Sequence, residues 1–372
     1  MSKPLRVVHI TSAHKDGDVR IFHKECVSLA AAGFDVFLVV PNAKSRLEKG
    51  VNIVSFEDSG SSRFRRAIRT VNRVYETAIE LDGDIYHLHD PELLRIAKRF
   101  KEAGKKVIYD AHEDLPRQIM SKPYIPVFLR KTISWFTEIN ENRIAKKLDG
   151  VITATPFIRD RFLNINSTTE DINNFPLISE VEIQSHLNSK REKAICYIGA
   201  ISDIRGISEL IHACGIAKIK LYLAGEMEPG LLSKYSQMEA WKFVEYLGHV
   251  DRDKSLQLKK NCFAGVVPFL AVPNHVNAQP NKLFEYMGSG LPVICSDFPL
   301  WKLIIEVNEC GVCVDCSNPE ILAQAIIDLS ENTIAIDKMG TNGIRQVTQK
   351  YNWEIEKQKL IEFYQKLAAN GK

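Results

Sequence analysis

A chain of 372 residues with 49 Lys and Arg against 46 Asp and Glu carries a net charge of only +3, with 45% apolar and 26% charged residues, the composition of an ordinary globular protein. Single cores rarely grow beyond about 250–300 residues, so two domains are expected. Near-neutral charge with weak aromatic interleaving argues against nucleic acid, and no run approaches the roughly 20 apolar residues of a membrane span.

The N-terminal Met1-Ser2-Lys3-Pro4-Leu5-Arg6 leads directly into a strand with no apolar leader, so the cytoplasm is the expected compartment. Leu5 to Thr11 is an apolar run; Ile21 to Ala32 is helix-periodic, and Gly33 stops it before a strand from Asp35 to Val40. Further strands are predicted at Val51 to Phe56, Ile85 to Leu88, Lys106 to Asp110 and Gly150 to Ala154, with helices at Arg63–Glu80, Pro91–Ala103 and Pro126–Leu148. Such alternation predicts a parallel sheet covered on both faces. The pattern restarts with Ala194–Ile198, Lys220–Ala224, Val244–Leu247, Ala264–Pro268, Val293–Cys295 and Gly311–Asp315, again with helices between them.

The reading is therefore an α/β chain with two doubly wound domains, residues 1–180 and 190–350, and a C-terminal helical segment, residues 351–372. The polar stretch Ile178 to Lys193 is the predicted boundary. Ligands of such sheets bind beyond the carboxyl ends of the strands, so two facing domains imply a cleft. Eight cysteines sit mostly in apolar runs such as Ala194-Ile195-Cys196-Tyr197-Ile198 and read as reduced, buried thiols. Cys310, Cys313 and Cys316 lack a fourth ligand, and Gly311-Val312-Cys313-Val314-Asp315 reads as a strand rather than a zinc site.

Pro280-Asn281-Lys282-Leu283-Phe284-Glu285-Tyr286-Met287-Gly288 reads as a loop entering a short helix. Lys282 falls at the first turn, where unpaired N–H groups and the helix dipole favour a phosphate; Glu285, three residues on, can share its face and meet a hydroxyl pair. A nucleotide carries both groups. Arg205 stands before another helix start, after the turn Tyr197-Ile198-Gly199-Ala200, so two cations could hold a diphosphate without a metal. In the first half, Thr11 to Arg20 forms a polar loop, with His14 and Gly17, and Asp18 as a candidate cap; it also reads as a plain solvated turn. Asp110-Ala111-His112-Glu113-Asp114 follows a strand, which projects His112 at the sheet's carboxyl edge in a binding, catalytic or structural role.

Together, Asp18-Val19-Arg20-Ile21-Phe22-His23-Lys24-Glu25, Tyr86-His87-Leu88-His89-Asp90-Pro91-Glu92, Tyr109 to Asp114, Tyr197-Ile198-Gly199 with Arg205-Gly206, and Pro280 to Ile294 resemble the GT-B nucleotide-sugar glycosyltransferases of family 4 over nearly the whole chain. Tyr351-Asn352-Trp353-Glu354 and the helix after it resemble the family's closing segment, which usually crosses back to the first domain. The resemblance implies that Glu285 binds the donor ribose, that Arg205 faces the donor diphosphate and that His112 lies near the donor sugar. Gly17, Gly199, Asn277, Asn281, Lys282 and Leu283 join the expected donor side; His14, Asp18, Arg20, His89, Asp90 and Glu113 form the expected acceptor side. Asn277 stands where the family has the first glutamate of its pair, and Ala200 where it has an arginine.

The implied reaction moves a sugar from a nucleoside-diphosphate donor to a glycan or lipid-linked acceptor with retention, using no metal and no cofactor. Asp16-Gly17-Asp18 and Asp82-Gly83-Asp84 superficially match a metal-binding Asp-x-Asp motif, but one enters a helix and the other precedes a strand. A nucleotide-sugar 2-epimerase and a non-catalytic nucleotide-sugar binder are the alternatives. Arg63, Arg65, Arg66, Arg69 and Arg73 share a helical segment with Phe64, Ile68 and Val71, either an ordinary solvated face or peripheral contact with an anionic membrane. Residues through 180 hold 28 basic against 24 acidic side chains, a modest skew toward that half.

Overall fold

The computed structural model describes residues 3–57, 63–122, 124–181 and 191–369, with residues 63–69 as backbone only. The chain divides into two compact units, Met1–Asn174 with Trp353–Lys372, and Phe175–Asn352. In the first unit the strands are β1 (Arg6–Ile10), β2 (Asp35–Pro41), β3 (Arg46–Glu48), β4 (Val51–Phe56), β5 (Ile85–Leu88), β6 (Lys106–Ala111), β7 (Gly150–Thr153) and β8 (Thr169–Asp171). They form one sheet in the order β3-β4-β2-β1-β5-β6-β7-β8. Every pairing is parallel except that of β3 with β4.

Parallel strands lie under helices on both faces, which is why β5 and β7 are buried at every position. The sheet order runs outward in both directions from the β1–β5 pair, so the loops after β1 and β5 border the crevice where such sheets take ligands. The short edge strands β3 and β8 have no counterpart among the expected elements. Three residues offer too little alternation to identify a strand before its neighbour is in place.

The second unit contains β9 (Ala194–Ile198), β10 (Lys220–Ala224), β11 (Val244–Gly248), β12 (Ala264–Val267), β13 (Val293–Ser296) and β14 (Gly311–Val314). Its order, β11-β10-β9-β12-β13-β14, places the equivalent crevice between β9 and β12. All its pairings are parallel. The two doubly wound domains read from strand and helix alternation are thus the observed architecture, and Gly311–Val314 is a strand.

The passage between units falls at Asn174/Phe175, ahead of the predicted polar boundary, because Phe175 belongs to the second core. Its ring lies 4.7 Å from Phe284 and 5.4 Å from Tyr351. Part of the polar stretch, residues 182–190, is outside the described residues. The helix Trp353–Ala369 returns to the first unit, where the Trp353 indole N–H donates to Ser28 Oγ at 2.9 Å and Glu356 accepts from the Asn173 amide at 2.6 Å.

The helix Arg63–Ile79 buries Val71 and Val74 in the first core, and Arg73 donates to the Glu57 carbonyl. The side chains of Arg63, Phe64, Arg65, Arg66, Ile68 and Arg69, on which a basic membrane face was expected, lie outside the described residues.

Candidate active site

At the first crevice, neighbouring strands carry histidine where parallel strands ordinarily carry aliphatic side chains. His9 of β1 is in register with His87 of β5, and both are fully buried with Glu25, His89 and Asp110. His9 Nδ1 lies 2.8 Å from His89 Nε2, and His87 Nδ1 lies 2.7 Å from the Tyr364 hydroxyl on the C-terminal helix. Arg20 forks onto Asp110 at 2.9 and 3.2 Å and stands 3.1 Å from Glu25 Oε1. The fork balances buried negative charge.

Burial, reinforced by neighbouring imidazoles, holds His9 and His87 well below the usual histidine range. Burial draws His89 down to about 4 against the opposing pull of Asp110. Glu25 moves up through burial and the Asp110 charge, whereas Asp110 is held well down because Arg20 and His112 outweigh its burial. Burial thus disfavours the charged forms of His9, His87, His89 and Glu25 around the Arg20–Asp110 ion pair. Two groups, His9 with Glu25, His87 and His89, and His89 with Asp110 and His112, bring metal-ligand atoms within 4.8 Å of one another. Several of those atoms already serve the hydrogen bonds just described.

The network surfaces at His112, whose Nε2 lies 2.8 Å from Asp110 Oδ2 and 3.2 Å from His89 Nδ1. With Nε2 held, Nδ1 is the ring nitrogen available to a ligand. Beside it, Asp90 Oδ2 accepts from the Thr11 hydroxyl and the Ser12 amide at 2.7 Å each, and Asp90 Oδ1 is 3.0 Å from His14 Nδ1. These contacts overcome burial and hold Asp90 well below the carboxylate range, while the Asp90 bond raises His14. Asp18 Oδ1 accepts from the Arg20 and Ile21 amides at 2.9 Å each and caps the following helical segment, as its place in the loop predicts.

In the second unit, β9 ends at Gly199, whose φ of 135° lies in the region open to glycine, and a Cβ there would collide with Lys282 Nζ and Cε. Lys282 is the second residue of the helix Asn281–Gly288, which opens without a side-chain cap. Its ammonium stands 5.3 Å from the Tyr197 ring centroid and 5.8 Å from that of Phe269; the Arg205 guanidinium lies 5.4 Å from Phe269. Arg205 also donates to the Ala200 carbonyl at 3.0 Å. Among the described residues neither cation has a carboxylate within ion-pair distance. Burial, then the Arg205 charge, lowers Lys282 to about 8, with exposed Glu285 opposing the shift. Two cations with no carboxylate counter-charge among the described residues, beside an uncapped helix start, make a local environment that favours negative charge.

Residues 17–173 match the family model described as Glycosyltransferase Family 4, and residues 179–346 match Glycosyl transferases group 1. The chain is a GT-B glycosyltransferase of the family 4 type. An uncharacterized glycosyltransferase of Methanocaldococcus jannaschii is 24% identical over 235 residues, 58% of this chain and 59% of that protein, so the match spans less than two thirds of that relative. The MMP alpha-(1->4)-mannosyltransferase of Mycolicibacterium hassiacum is 20% identical over 77% of this chain and 72% of its own. The fold is shared with sucrose-phosphate synthase from Thermosynechococcus elongatus, at a TM-score of 0.79 and 17% identity over 99% of this chain and 100% of that one. Anabaena HepE in complex with UDP aligns at a TM-score of 0.70 and 15% identity, covering 98% of this chain and 100% of its own.

Within this family 4 chain the expected site residues separate by environment. Gly199, Arg205 and Lys282 come together; Glu285 lies one helical turn on, while Asn277 is half-buried in the preceding loop and Asn281 is exposed at the helix start. Leu283 requires correction, since its side chain is fully buried in the second core and has no face for a donor. Gly17 is exposed in the first unit with open space around it. On the acceptor side, Arg20, His89 and Asp90 are buried and bonded to protein groups, so they position neighbours rather than offer themselves to a substrate. His14, His112 and Glu113 reach the surface.

The Asp-x-Asp matches are held by protein contacts: Asp16 pairs with Arg46 at 2.6 Å, Asp18 caps its helix, Asp82 pairs with Lys105 at 2.5 Å, and Asp84 accepts from the Arg6 amide at 2.7 Å. Sequence reasoning missed the aromatic floor of Tyr197 and Phe269. It also missed His9, Glu25 and Tyr364 as partners of His87 and His89; the one signal was a polar residue inside each apolar strand, at His9 and His87.

Proposed function

We propose that this protein transfers a sugar from a nucleoside-diphosphate donor to a glycan or lipid-linked acceptor, with retention of the anomeric configuration. The observation that carries the reading is the pair Lys282 and Arg205, which beside the turn after β9 have no carboxylate partner among the described residues. A diphosphate supplies the missing negative charge, and no metal ion is needed to balance it. Glu285, on the same short helix, accepts from the donor's ribose hydroxyls in this reading. The solved structures of Anabaena HepE with UDP and with UDP-glucose support a donor of this class.

In the proposed reaction the acceptor oxygen bonds to the anomeric carbon as the bond from that carbon to the phosphate oxygen breaks. The bonding pair leaves with the diphosphate, which also takes the acceptor proton. Lys282 and Arg205 stabilise charge as it builds on the leaving group, so their effect grows toward the transition state. In this reading His112, oriented by Asp110, contacts the donor sugar. The acceptor meets the loops carrying His14, after β1, and Glu113, after β6. A cytoplasmic setting and peripheral contact with an anionic membrane belong to the same reading.

Calorimetric titration of UDP, GDP and ADP into the full chain, with and without magnesium, tests it. One diphosphate should bind independently of metal and lose affinity in Lys282→Met and Arg205→Met. Absence of nucleotide binding, or binding untouched by both substitutions, would sink the donor assignment. Retention is read from the anomeric proton coupling of the product, and an inverted product would exclude it.

A further inference from the structure

The helix Val127–Ala145 breaks the rule that a domain helix buries its apolar stripe. Phe128 is 80% exposed, Val127 73%, Tyr124 72%, Phe136 59% and Trp135 58%. Phe128, Trp135 and Ile139 recur at seven- and four-residue steps and align along one ridge, with Leu129 and Phe136 beside it. The Trp135 and Phe136 rings pack on each other at 4.7 Å. The helix packs on the helix Leu115–Ile119, with Ser134 Oγ donating to the Pro116 carbonyl at 2.7 Å, and buries Glu141 and Ala145 in its last turns. A contiguous aromatic face of this kind marks an interaction surface.

Charge selects the occupant. From Leu115 to Thr137 the chain carries Arg117, Lys122, Arg130 and Lys131 and no acidic residue. Arg117 is paired with Glu138 at 2.6 Å, whereas Arg130 donates to the Met120 and Ile125 carbonyls. Among the described residues Lys122, Arg130 and Lys131 have no carboxylate partner in an ion pair. Two copies of this face would bring like charges together, but an anionic lipid surface complements it. Tyr and Trp are also the side chains that settle at the headgroup boundary. No helix of the described residues is long and apolar enough to cross a membrane, so this one would lie in the interface.

We propose that the exposed face from Tyr124 to Ile139 is a docking surface for an anionic lipid bilayer, with the aromatic ridge inserted at headgroup depth and the adjoining basic side chains on the lipid phosphates. The surface is continuous with a cavity of about 570 Å³ that Ile133 and Phe136 line together with Pro91, Glu92, Leu94 and Arg95. Glu92 accepts from the Ser12 hydroxyl at 2.9 Å, beside the Asp90 contacts. The surface stands apart from the reaction chemistry; its use in presenting a lipid-linked acceptor rests on the function proposed above.

Cosedimentation of the full chain with phosphatidylcholine vesicles, and with vesicles containing phosphatidylserine, tests the surface. The wild type should partition to the anionic vesicles, and Phe128→Ser with Trp135→Ser should reduce partitioning by about tenfold or more, from the apolar area withdrawn. Lys131→Glu should weaken it and shift its salt dependence. Nucleotide titration of the same variants, expected to match the wild type, separates failure of this surface from failure of the donor site. Wild-type protein that ignores both vesicle types would overturn the proposal, as would serine variants that bind them undiminished. A concentration-dependent dimer in sedimentation equilibrium that the serine pair dissociates would instead make the face a contact between copies of this chain.

Discussion

The two units treat buried charge in opposite ways. In the first, Arg20, Asp110, Glu25 and three histidines form a buried network in which the guanidinium meets a carboxylate, burial disfavours the charged forms of Glu25 and the imidazoles, and the Glu25 oxygens and His87 Nε2 lack a hydrogen-bond partner. In the second, Lys282 and Arg205 share an aromatic floor and repel each other with no ion-pair partner among the described residues. A compensated cluster suits a scaffold, and an uncompensated one suits an incoming counter-charge. Burial alone does not distinguish them; the presence of a counter-charge does.

The largest contrast should appear on removing one member of each set. Arg20→Met would strand Asp110 in the first core, with an expected loss of roughly 3–5 kcal/mol in urea unfolding. Unchanged stability would mean that the network is not charge-balanced as described. Lys282→Met should do the reverse, raising the melting temperature of the ligand-free protein. A folded pKa of about 8, below the unfolded lysine value, means that folding disfavours the ammonium. This penalty is fully present below about pH 8 and is relieved as pH climbs toward the unfolded value. The same variant should bind nucleoside diphosphate at least about thirtyfold more weakly by calorimetry, in line with removal of one partner from a desolvated charge pair.

The titration adds a sharper test. Wild-type affinity should fall as pH rises through about 8, where Lys282 loses its proton, and Lys282→Arg should flatten that fall. A smaller effect is expected at His112. Its change to Gln should lower kcat by about tenfold or more while nucleotide affinity holds, and a fully active variant would remove it from the reaction. Smallest of all, Glu285→Ala should cost about 1 kcal/mol in nucleotide affinity, the loss of a hydrogen bond to an exposed carboxylate. An equal loss for a nucleotide lacking the ribose hydroxyls would show that Glu285 acts elsewhere.

Much of this contrast is legible in the residue order. Lys282 and Glu285 are read from helical spacing, and Gly199 and Arg205 from a glycine turn leading to a helix. Asp18 is read as a cap because short-range geometry decides capping. Leu283 was misjudged as a donor contact because adjacency to Lys282 says nothing about which face of the helix turns inward. His89 and Asp90 looked available for the same reason: their strand end is evident from sequence, but their partners His9 and Thr11 are 80 and 79 residues away. The exposed ridge of the Val127–Ala145 helix was hidden as well. Its apolar content resembles that of a core helix until the exposure of Phe128, Trp135 and Phe136 is seen.

Periodicity, turn residues and the doubled strand pattern determined the two parallel sheets, because apolar spacing reports local geometry and which faces must leave water. They also located the short helix carrying Lys282 and the glycine turn leading to Arg205. Tertiary structure alone decided which ionisable groups are compensated. Compensation depends on distances of a few ångströms between segments far apart in the chain, as when Tyr364 reaches His87 from 277 residues away.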